Sequence, residues 1–111
     1  MALIPNVENA RVEDSKLHGY LLSLSHPEGG AKARFYESIG FTIDNAEELR
    51  IELLRIARAF DVVEISTDEF GVKYVVEGIL IDKQGRGIPL LTVWVIDTGT
   101  DFPRLVTAYP L

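Results

Sequence analysis

The stretch from residue 44 to residue 65 reads DNAEELRIELLRIARAFDVVEI, and the spacing of its apolar residues changes once. Up to Phe60 the apolar residues recur at helical intervals, and the stripe consists of Leu49, Leu53, Ile56 and Phe60. Asp44 and Glu47 have the spacing of a capping box, which predicts that a helix begins here. After Phe60 the interval becomes two residues, as in a half-buried strand. The change of period predicts helix before Phe60 and sheet after it.

Two shorter helices are predicted on the N-terminal side. The first follows Asp14 and carries a stripe of Leu17, Tyr20, Leu21 and Leu24. The segment Ser25 to Gly30 then breaks the helical pattern with a proline and two glycines. The second helix is predicted from Ala31 to Ile39, with Gly40 placed where a left-handed C-terminal cap is favoured.

Four strands are predicted on the C-terminal side. They are centred on Val63 and Ile65, on Val72 to Val76, on Ile88 to Ile96, and on Phe102 to Pro110. Short connections containing glycine and aspartate separate them, which favours antiparallel neighbours. The order predicts an α+β fold with three N-terminal helices followed by a four-stranded antiparallel β-meander packed against them, as a single domain over residues 1–111.

Composition narrows the classes of function. The chain has 111 residues, no cysteine and two histidines, so we expect neither a disulfide framework nor a metal site, and no cofactor motif is present. No apolar run approaches the length of a membrane helix and no secretory signal is visible, so we expect a cytoplasmic protein without membrane partners. The net charge of −6 opposes sequence-independent nucleic-acid binding. Because residues 41–69 hold 8 acidic and 3 basic side chains, a small basic site built from the two ends remains open.

The C-terminal stretch Phe102 to Pro110 contains polar and charged side chains that the packing of an apolar strand does not require. It carries Arg104, Thr107 and Tyr109 between two prolines. If Leu91, Val93 and Val95 face the helices, Thr92 and Trp94 lie on the open face. Hairpins folded about Gly99 and about Gln84 and Gly85 would then set Leu90 opposite Tyr109 and align Glu77, Thr92 and Thr107 in one row.

Two interpretations of this row are open. It is either a threonine-rich solvent face, since threonine and aromatic residues suit strands, or an anion-binding floor. In the second case hydroxyl groups donate to phosphate oxygens, Arg104 supplies charge and Glu77 acts as a general base, which would fit RNA cleavage without metal.

A second candidate region runs from Ser25 to Phe35. His26 stands before Gly29 and Gly30, which open a helix bearing Lys32 and Arg34. Helix N-termini attract anions, and histidine titrates near neutral pH, so phosphate binding is chemically reasonable here. The alternative is that the glycines form only a turn, that His26 caps a helix end and that both cations are solvated.

Four stretches of the chain resemble a family of small bacterial proteins of unknown function. They are Leu3-Ile4-Pro5-Asn6, His26 to Phe35, Phe70-Gly71-Val72-Lys73-Tyr74 and Phe102 to Pro110. The chain is also distantly similar to the barnase, EndoU, colicin and RelE class of metal-independent ribonuclease toxins, which place helices before a four-stranded antiparallel sheet. This resemblance implies that Thr107 and Tyr109 match a Thr-x-Tyr-like element on a late strand, with His26 and Lys32 as helix-borne partners.

Two hypotheses of function follow. The first is a ribonuclease or toxin-like domain that acts on RNA phosphodiesters, with His26 or Glu77 as base and with Lys32, Arg104, Thr107 and Tyr109 stabilising the phosphate or protonating the leaving oxygen. The second is a non-catalytic immunity or toxin–antitoxin partner. Its acidic helix from Asp44 to Phe60 would face a basic protein encoded nearby, steered by Glu47, Glu48, Glu52 and Asp61.

Overall fold

The structure, a computed structural model, describes residues 2–111 and contains three helices followed by four strands. Helix α1 (Asp14–Lys16) passes directly into a π-helical turn (Leu17–Leu21), and is followed by α2 (Gly30–Ser38) and α3 (Ala46–Ala59). Single 3₁₀ turns lie at Val7–Asn9 and Ile43–Asn45. The strands are β1 (Val62–Asp68), β2 (Gly71–Ile81), β3 (Gly87–Asp97) and β4 (Arg104–Pro110). The predicted α+β fold is confirmed.

The four strands form one antiparallel meander in the order β1-β2-β3-β4, with the helices on one face. Helix α3 crosses this face against β2. The approach is closest at Gly78, where a Cβ atom would lie 2.7 Å from Cγ2 of Ile56 and 2.9 Å from Cδ2 of Phe60. A side chain at this position would push α3 off the sheet, so the glycine sets the distance between the two layers.

The core lies between α3 and the helix-facing side of β2, β3 and β4. Fully buried residues from both layers meet there, and they include Trp94, Tyr36, Phe41, Leu49, Leu53, Ile56, Leu80 and Leu90. The hydroxyl of Tyr36 donates to the carbonyl of Ala108 at 2.6 Å. Burial raises the pKa of Tyr36 well above its usual value, so the phenol stays a neutral donor that ties α2 to β4.

The predicted orientation of β3 is wrong. Thr92 and Trp94 are fully buried against the helices, whereas Leu91 and Val93 face the open side and are partly exposed. The Thr92 hydroxyl donates to the carbonyl of Val76 and accepts from Nε1 of Trp94, both at 2.8 Å. A polar residue was expected to lie outward, but these two bonds satisfy it inside, and the indole gains most from burial.

The predicted cross-strand row is also wrong by one residue. Glu77 lies opposite Leu91, and Leu91 lies opposite Tyr109, while Thr107 lies opposite Val93. The β2–β3 loop is fixed by Asp82, whose carboxylate accepts the backbone N–H groups of Gln84 and Arg86 at 2.8 Å. The β3–β4 ladder shifts register between Val93 and Trp94. A one-residue shift of this kind moves each side chain to another row.

The capping box also differs from the prediction. The backbone N–H of Thr42 donates to Oδ1 of Asn45 at 2.8 Å, and Oγ1 of Thr42 accepts from the N–H of Asp44 at 3.3 Å. The box therefore closes the 3₁₀ turn that precedes α3. The predicted pairing of Asp44 with Glu47 missed it because Asn replaces the Glu or Gln of the usual pattern.

Candidate functional site

Tyr20 lies at the centre of a group of polar and cationic side chains at the β4 edge of the sheet. Its hydroxyl is 3.5 Å from Oγ1 of Thr107, and its ring packs edge-on against His26 with 5.0 Å between centroids. The ammonium groups of Lys16 and Lys32 lie 4.8 and 5.4 Å from the ring centroid. We call the residues that meet here the Tyr20 cluster, which consists of Lys16, Tyr20, His26, Lys32, Thr107 and Tyr109.

The π-helical turn gives Tyr20 its position. The N–H of Leu22 donates to the carbonyl of Leu17 at 3.0 Å, so the turn is one residue wider than an α-helical one. Leu17 and Leu21 are fully buried and anchor the turn in the core. The extra residue leaves Tyr20 at the rim, half-buried, with its hydroxyl towards β4. Such turns inside helices are frequent at functional sites.

Gly29 brings the start of α2 against the Tyr20 backbone. A Cβ atom at Gly29 would lie 2.3 Å from the carbonyl oxygen of Tyr20, a distance that no side chain can adopt. The glycine pair therefore does more than form a turn. It permits the close approach that carries Lys32, in the first turn of α2, to the Tyr20 ring.

His26 is held by two hydrogen bonds from the backbone. Its Nδ1 accepts the N–H groups of Glu28 at 3.0 Å and of Gly29 at 2.9 Å. The imidazole thus closes the loop that leads into α2, whose N-cap residue is Gly29. Because Nδ1 accepts, the neutral ring carries its proton on Nε2 and presents a donor there. This arrangement leaves His26 without a free basic nitrogen.

Lys32 links the two tyrosines of the cluster. Its ammonium lies 5.4 Å from the Tyr20 ring centroid and 5.7 Å from that of Tyr109, whose side chain is 39% exposed. A cation between two aromatic faces is stabilised by their quadrupoles and keeps its N–H donors for a third partner. The hydroxyl group of Tyr109 offers a further donor beside this cation, so the arrangement suits an anion.

The cluster favours negative charge at Tyr20. The hydrogen bond with Thr107 lowers the pKa of Tyr20 most, burial opposes this, and the ammonium groups of Lys32 and Lys16 lower it further. The physical cause is that each of these donors and charges stabilises the phenolate more than the phenol. These neighbours therefore stabilise the phenolate form of Tyr20 relative to that of a free tyrosine.

Two residues of the predicted site are placed elsewhere. The guanidinium of Arg104 forms a bidentate pair with Asp97, with Nε to Oδ2 at 2.6 Å and Nη2 to Oδ1 at 3.0 Å. Glu77 is exposed on the open face, in the row that continues through Leu91 to Tyr109. Two strand spacings separate Glu77 from Tyr109, or roughly 10 Å. The structure brings His26, Lys32 and Thr107 to Tyr20, and Lys32 also lies over the ring of Tyr109.

The position of Tyr20 in the cluster was not predicted from the sequence. Its place in the stripe with Leu17 and Leu21 suggested a core residue. The signal that was available is Lys16, which precedes Tyr20 by four residues and so shares its helix face. The contact with Thr107 joins positions 87 residues apart and has no local signature.

The carboxylates of α3 are largely paired within the molecule. Glu47 pairs with Arg50, Glu48 with Lys83, and Glu52 with Arg55. Glu52 also accepts the backbone N–H of Ile81 at 2.8 Å. Three of the four residues expected to steer a basic partner thus already have cationic neighbours, while Asp61 is exposed.

The described part of the chain has neither a metal-binding cluster of side chains nor a helix able to span a membrane. Within residues 2–111, no three histidine, aspartate or glutamate side chains are grouped so that they could hold a metal ion. None of the helices in the same range has both the length and the apolar character needed to cross a membrane.

Comparison with known proteins gives a family and a fold. A family model described as "Domain of unknown function (DUF6883)" matches residues 3–111. No curated protein matches the chain. A solved structure of a contact-dependent growth inhibition toxin–immunity protein complex from Klebsiella pneumoniae 342 contains a similar chain, with a TM-score of 0.68 and 19% sequence identity. The alignment covers 94% of this chain and 95% of that chain, and at this identity it shows the fold alone.

Proposed function

The chain belongs to the DUF6883 family of unknown function, and we propose that it is a toxin-like ribonuclease domain that cleaves RNA phosphodiesters without metal at the Tyr20 cluster. One observation carries the proposal. Thr107 contacts the Tyr20 hydroxyl, His26 and Lys32 pack against the Tyr20 ring, and Lys32 also lies over Tyr109, so residues from α2, the loop before it and β4 converge on one tyrosine.

RNA suits this cluster because it contains its own nucleophile. The 2′-hydroxyl attacks the adjacent phosphorus, the bond from phosphorus to O2′ forms, and the bond to O5′ breaks. The products are a 2′,3′-cyclic phosphate and a free 5′-hydroxyl. The protein has to remove one proton, supply another and stabilise the charge of the pentavalent phosphate.

We assign these roles among the cluster residues as follows. Tyr20, as phenolate, takes the 2′-hydroxyl proton, because His26 has its Nδ1 occupied and Glu77 lies two strands from Tyr109. Lys32 stabilises the charge on the phosphate oxygens. The Tyr109 hydroxyl gives its proton to the leaving 5′-oxygen. Exchange with water then restores both tyrosines.

Two further residues position the substrate. Thr107 holds the Tyr20 hydroxyl from β4, and His26 offers its Nε2–H as a donor to a phosphate oxygen. Positive charge from Lys16 and Lys32 is concentrated at this edge, although the chain as a whole carries −6. This local balance supports phosphate binding at one small site rather than along an extended groove.

A toxin-like role is supported by the fold of the similar chain, which belongs to a toxin–immunity complex. We propose on this ground that a protein partner binds and controls the domain. The second candidate function, a non-catalytic immunity-type module, draws on the same similarity. It is the weaker one because the α3 carboxylates it would use for steering are paired with Arg50, Lys83 and Arg55.

The test is cleavage of a single-stranded RNA oligonucleotide by purified protein in the presence of a chelator. We expect products ending in 2′,3′-cyclic phosphate, identified by mass. Lys32→Ala should lose activity, while Lys73→Ala, which removes an exposed lysine from the open face of β2, should cleave like wild type. Intact RNA after incubation with wild type, or equal cleavage by both lysine variants, would overturn the proposal.

A further inference from the structure

Strand β1 leaves one edge of the sheet without a partner. The strand order places β2 on one side of it, and the ladder pairs residues from Val62 to Asp68 with β2. On its other side, among residues 2–111, the backbone hydrogen bonds outside the ladders include only the N–H of Val62 to the carbonyl of Ala2. The outward N–H and C=O groups from residue 63 to residue 68 are therefore available to another strand.

The side chains of β1 form two different faces. On the open side of the sheet lie Glu64, Ser66 and Asp68, opposite Val75, Lys73 and Gly71. On the helix side lie Ile65 and Thr67, opposite Tyr74 and Val72. Helix α3 packs on β2 and does not cover β1, so Ile65 is 61% exposed. The strand thus presents one acidic face and one apolar face beyond the helical layer.

The charges carried by β1 itself and by the residues at its two ends have a single sign. Residues 61–71 contain Asp61, Glu64, Asp68 and Glu69 and no lysine, arginine or histidine. None of these four carboxylates takes part in an ion pair formed within residues 2–111. A second copy of this chain would place acid against acid, so self-pairing is opposed by charge.

We propose that β1 binds an extended segment of a basic partner protein, which adds a fifth strand to the sheet. Backbone hydrogen bonds supply affinity in such strand addition, and alternate side chains supply specificity. The complementary segment alternates lysine or arginine, facing Glu64 and Asp68, with β-branched residues that extend the apolar face of Ile65. This edge lies on the opposite side of the sheet from β4, so the partner strand leaves the Tyr20 cluster open.

The test uses a synthetic acetylated probe peptide, Lys-Val-Lys-Val-Lys-Val-Lys, and a matched peptide in which glutamate replaces every lysine. Both are titrated into ¹⁵N-labelled full-length protein. We expect saturable shifts of the amide signals of β1 with the lysine peptide, weakening with added salt, and none with the glutamate peptide. Glu64→Lys should weaken lysine-peptide binding roughly fivefold, on the scale of cross-strand charge pairs.

A control variant distinguishes a specific effect at β1 from an effect of the net charge of the protein. Glu8→Lys makes the same change in net charge at an exposed position outside the sheet and should bind the lysine peptide like wild type. Equal weakening by both variants, shifts centred away from β1, or equal binding of the two peptides would overturn the proposal. Sedimentation showing a β1-dependent dimer without peptide would identify a second copy as the occupant and would also overturn it.

Discussion

The hydroxyl of Tyr20 lies 3.5 Å from Oγ1 of Thr107, and this contact joins the π-helical turn to the last strand. It places the phenol where two ammonium groups, from Lys16 and Lys32, flank its ring. The pKa of Tyr20 is lowered by the bond with Thr107 and by these charges, against the effect of burial. The proposed proton acceptor is thus prepared by its neighbours.

The pH dependence of cleavage should report on Tyr20. Because the phenolate is the active form, kcat/KM should rise with pH, about tenfold per pH unit, until the pKa of Tyr20 is reached. Tyr20→Phe should lower the rate about 100-fold or more, the usual scale for a lost general base, and remove this rise. Cleavage rates across the pH range, with folding checked by circular dichroism, give the comparison. Parallel profiles for both proteins would contradict the assignment.

Gly29→Ala should separate α2 from the Tyr20 turn. The added Cβ would meet the Tyr20 carbonyl oxygen at 2.3 Å, so the two segments must move apart. We expect a loss of about 1–3 kcal/mol in the free energy of unfolding, as in other overpacked sites, together with reduced RNA cleavage. Urea denaturation measures the first effect and the cleavage assay the second.

Gly19→Ala is the matched control for that change. A Cβ at Gly19 would have no heavy atom within 4 Å, and the residue lies in a helical turn. We expect unchanged or slightly increased stability, because alanine favours helix over glycine by roughly 1 kcal/mol. Equal destabilisation by the two substitutions would show that the close approach at Gly29 has no special importance.

Thr92→Val should destabilise the core although it keeps the shape of the side chain. The lost hydroxyl leaves Nε1 of Trp94 without its acceptor in a fully buried site. Leaving a buried donor unsatisfied costs about 1–3 kcal/mol, measured here as a lower urea midpoint. Thr67→Val, at an exposed position of β1, should change stability by no more than about 0.5 kcal/mol. Similar effects of both variants would be inconsistent with the buried hydrogen bonds.

The pair of Arg104 and Asp97 should give acid-dependent stability. Hydrogen bonds from Arg104 lower the pKa of Asp97, against a smaller opposing effect of burial. A carboxyl with a lowered pKa stabilises the fold above its unfolded pKa, about 3.9, and loses this contribution as pH falls through the folded pKa. Arg104→Gln should therefore be less stable than wild type above pH 4, and the difference should shrink in stronger acid. Urea titrations at several pH values test this, and a pH-independent difference would exclude the pair as its source.

The sequence predicted the fold class because its main signal is local. The change of apolar period after Phe60 separates helices from strands without reference to tertiary contacts. The face and register of β3 were not predictable in the same way. Thr92 is polar yet buried, and its hydroxyl is satisfied by Val76 from the neighbouring strand and by Trp94 two residues along. The register further depends on the shift between Val93 and Trp94, which has no clear local pattern.

The sequence predicted four residues of the candidate site but not Tyr20, which lies at its centre. His26, Lys32, Thr107 and Tyr109 stood out because polar residues appeared beside turns or in an apolar strand. Tyr20 did not, since a tyrosine between buried leucines looks like a core residue. Only the folded chain shows that its hydroxyl leaves the core and reaches β4.

Blocking the 2′-hydroxyl of the substrate at the cleavage position tests the proposed chemistry most directly. One RNA oligonucleotide is compared, with chelator present, with the same strand carrying a single 2′-O-methyl group at the mapped cleavage position. We predict that wild-type protein cleaves the unmodified strand to a 2′,3′-cyclic phosphate and leaves the modified bond intact. Equal cleavage of both strands would contradict attack by the 2′-hydroxyl, and with it the role of the Tyr20 cluster as the site of that reaction.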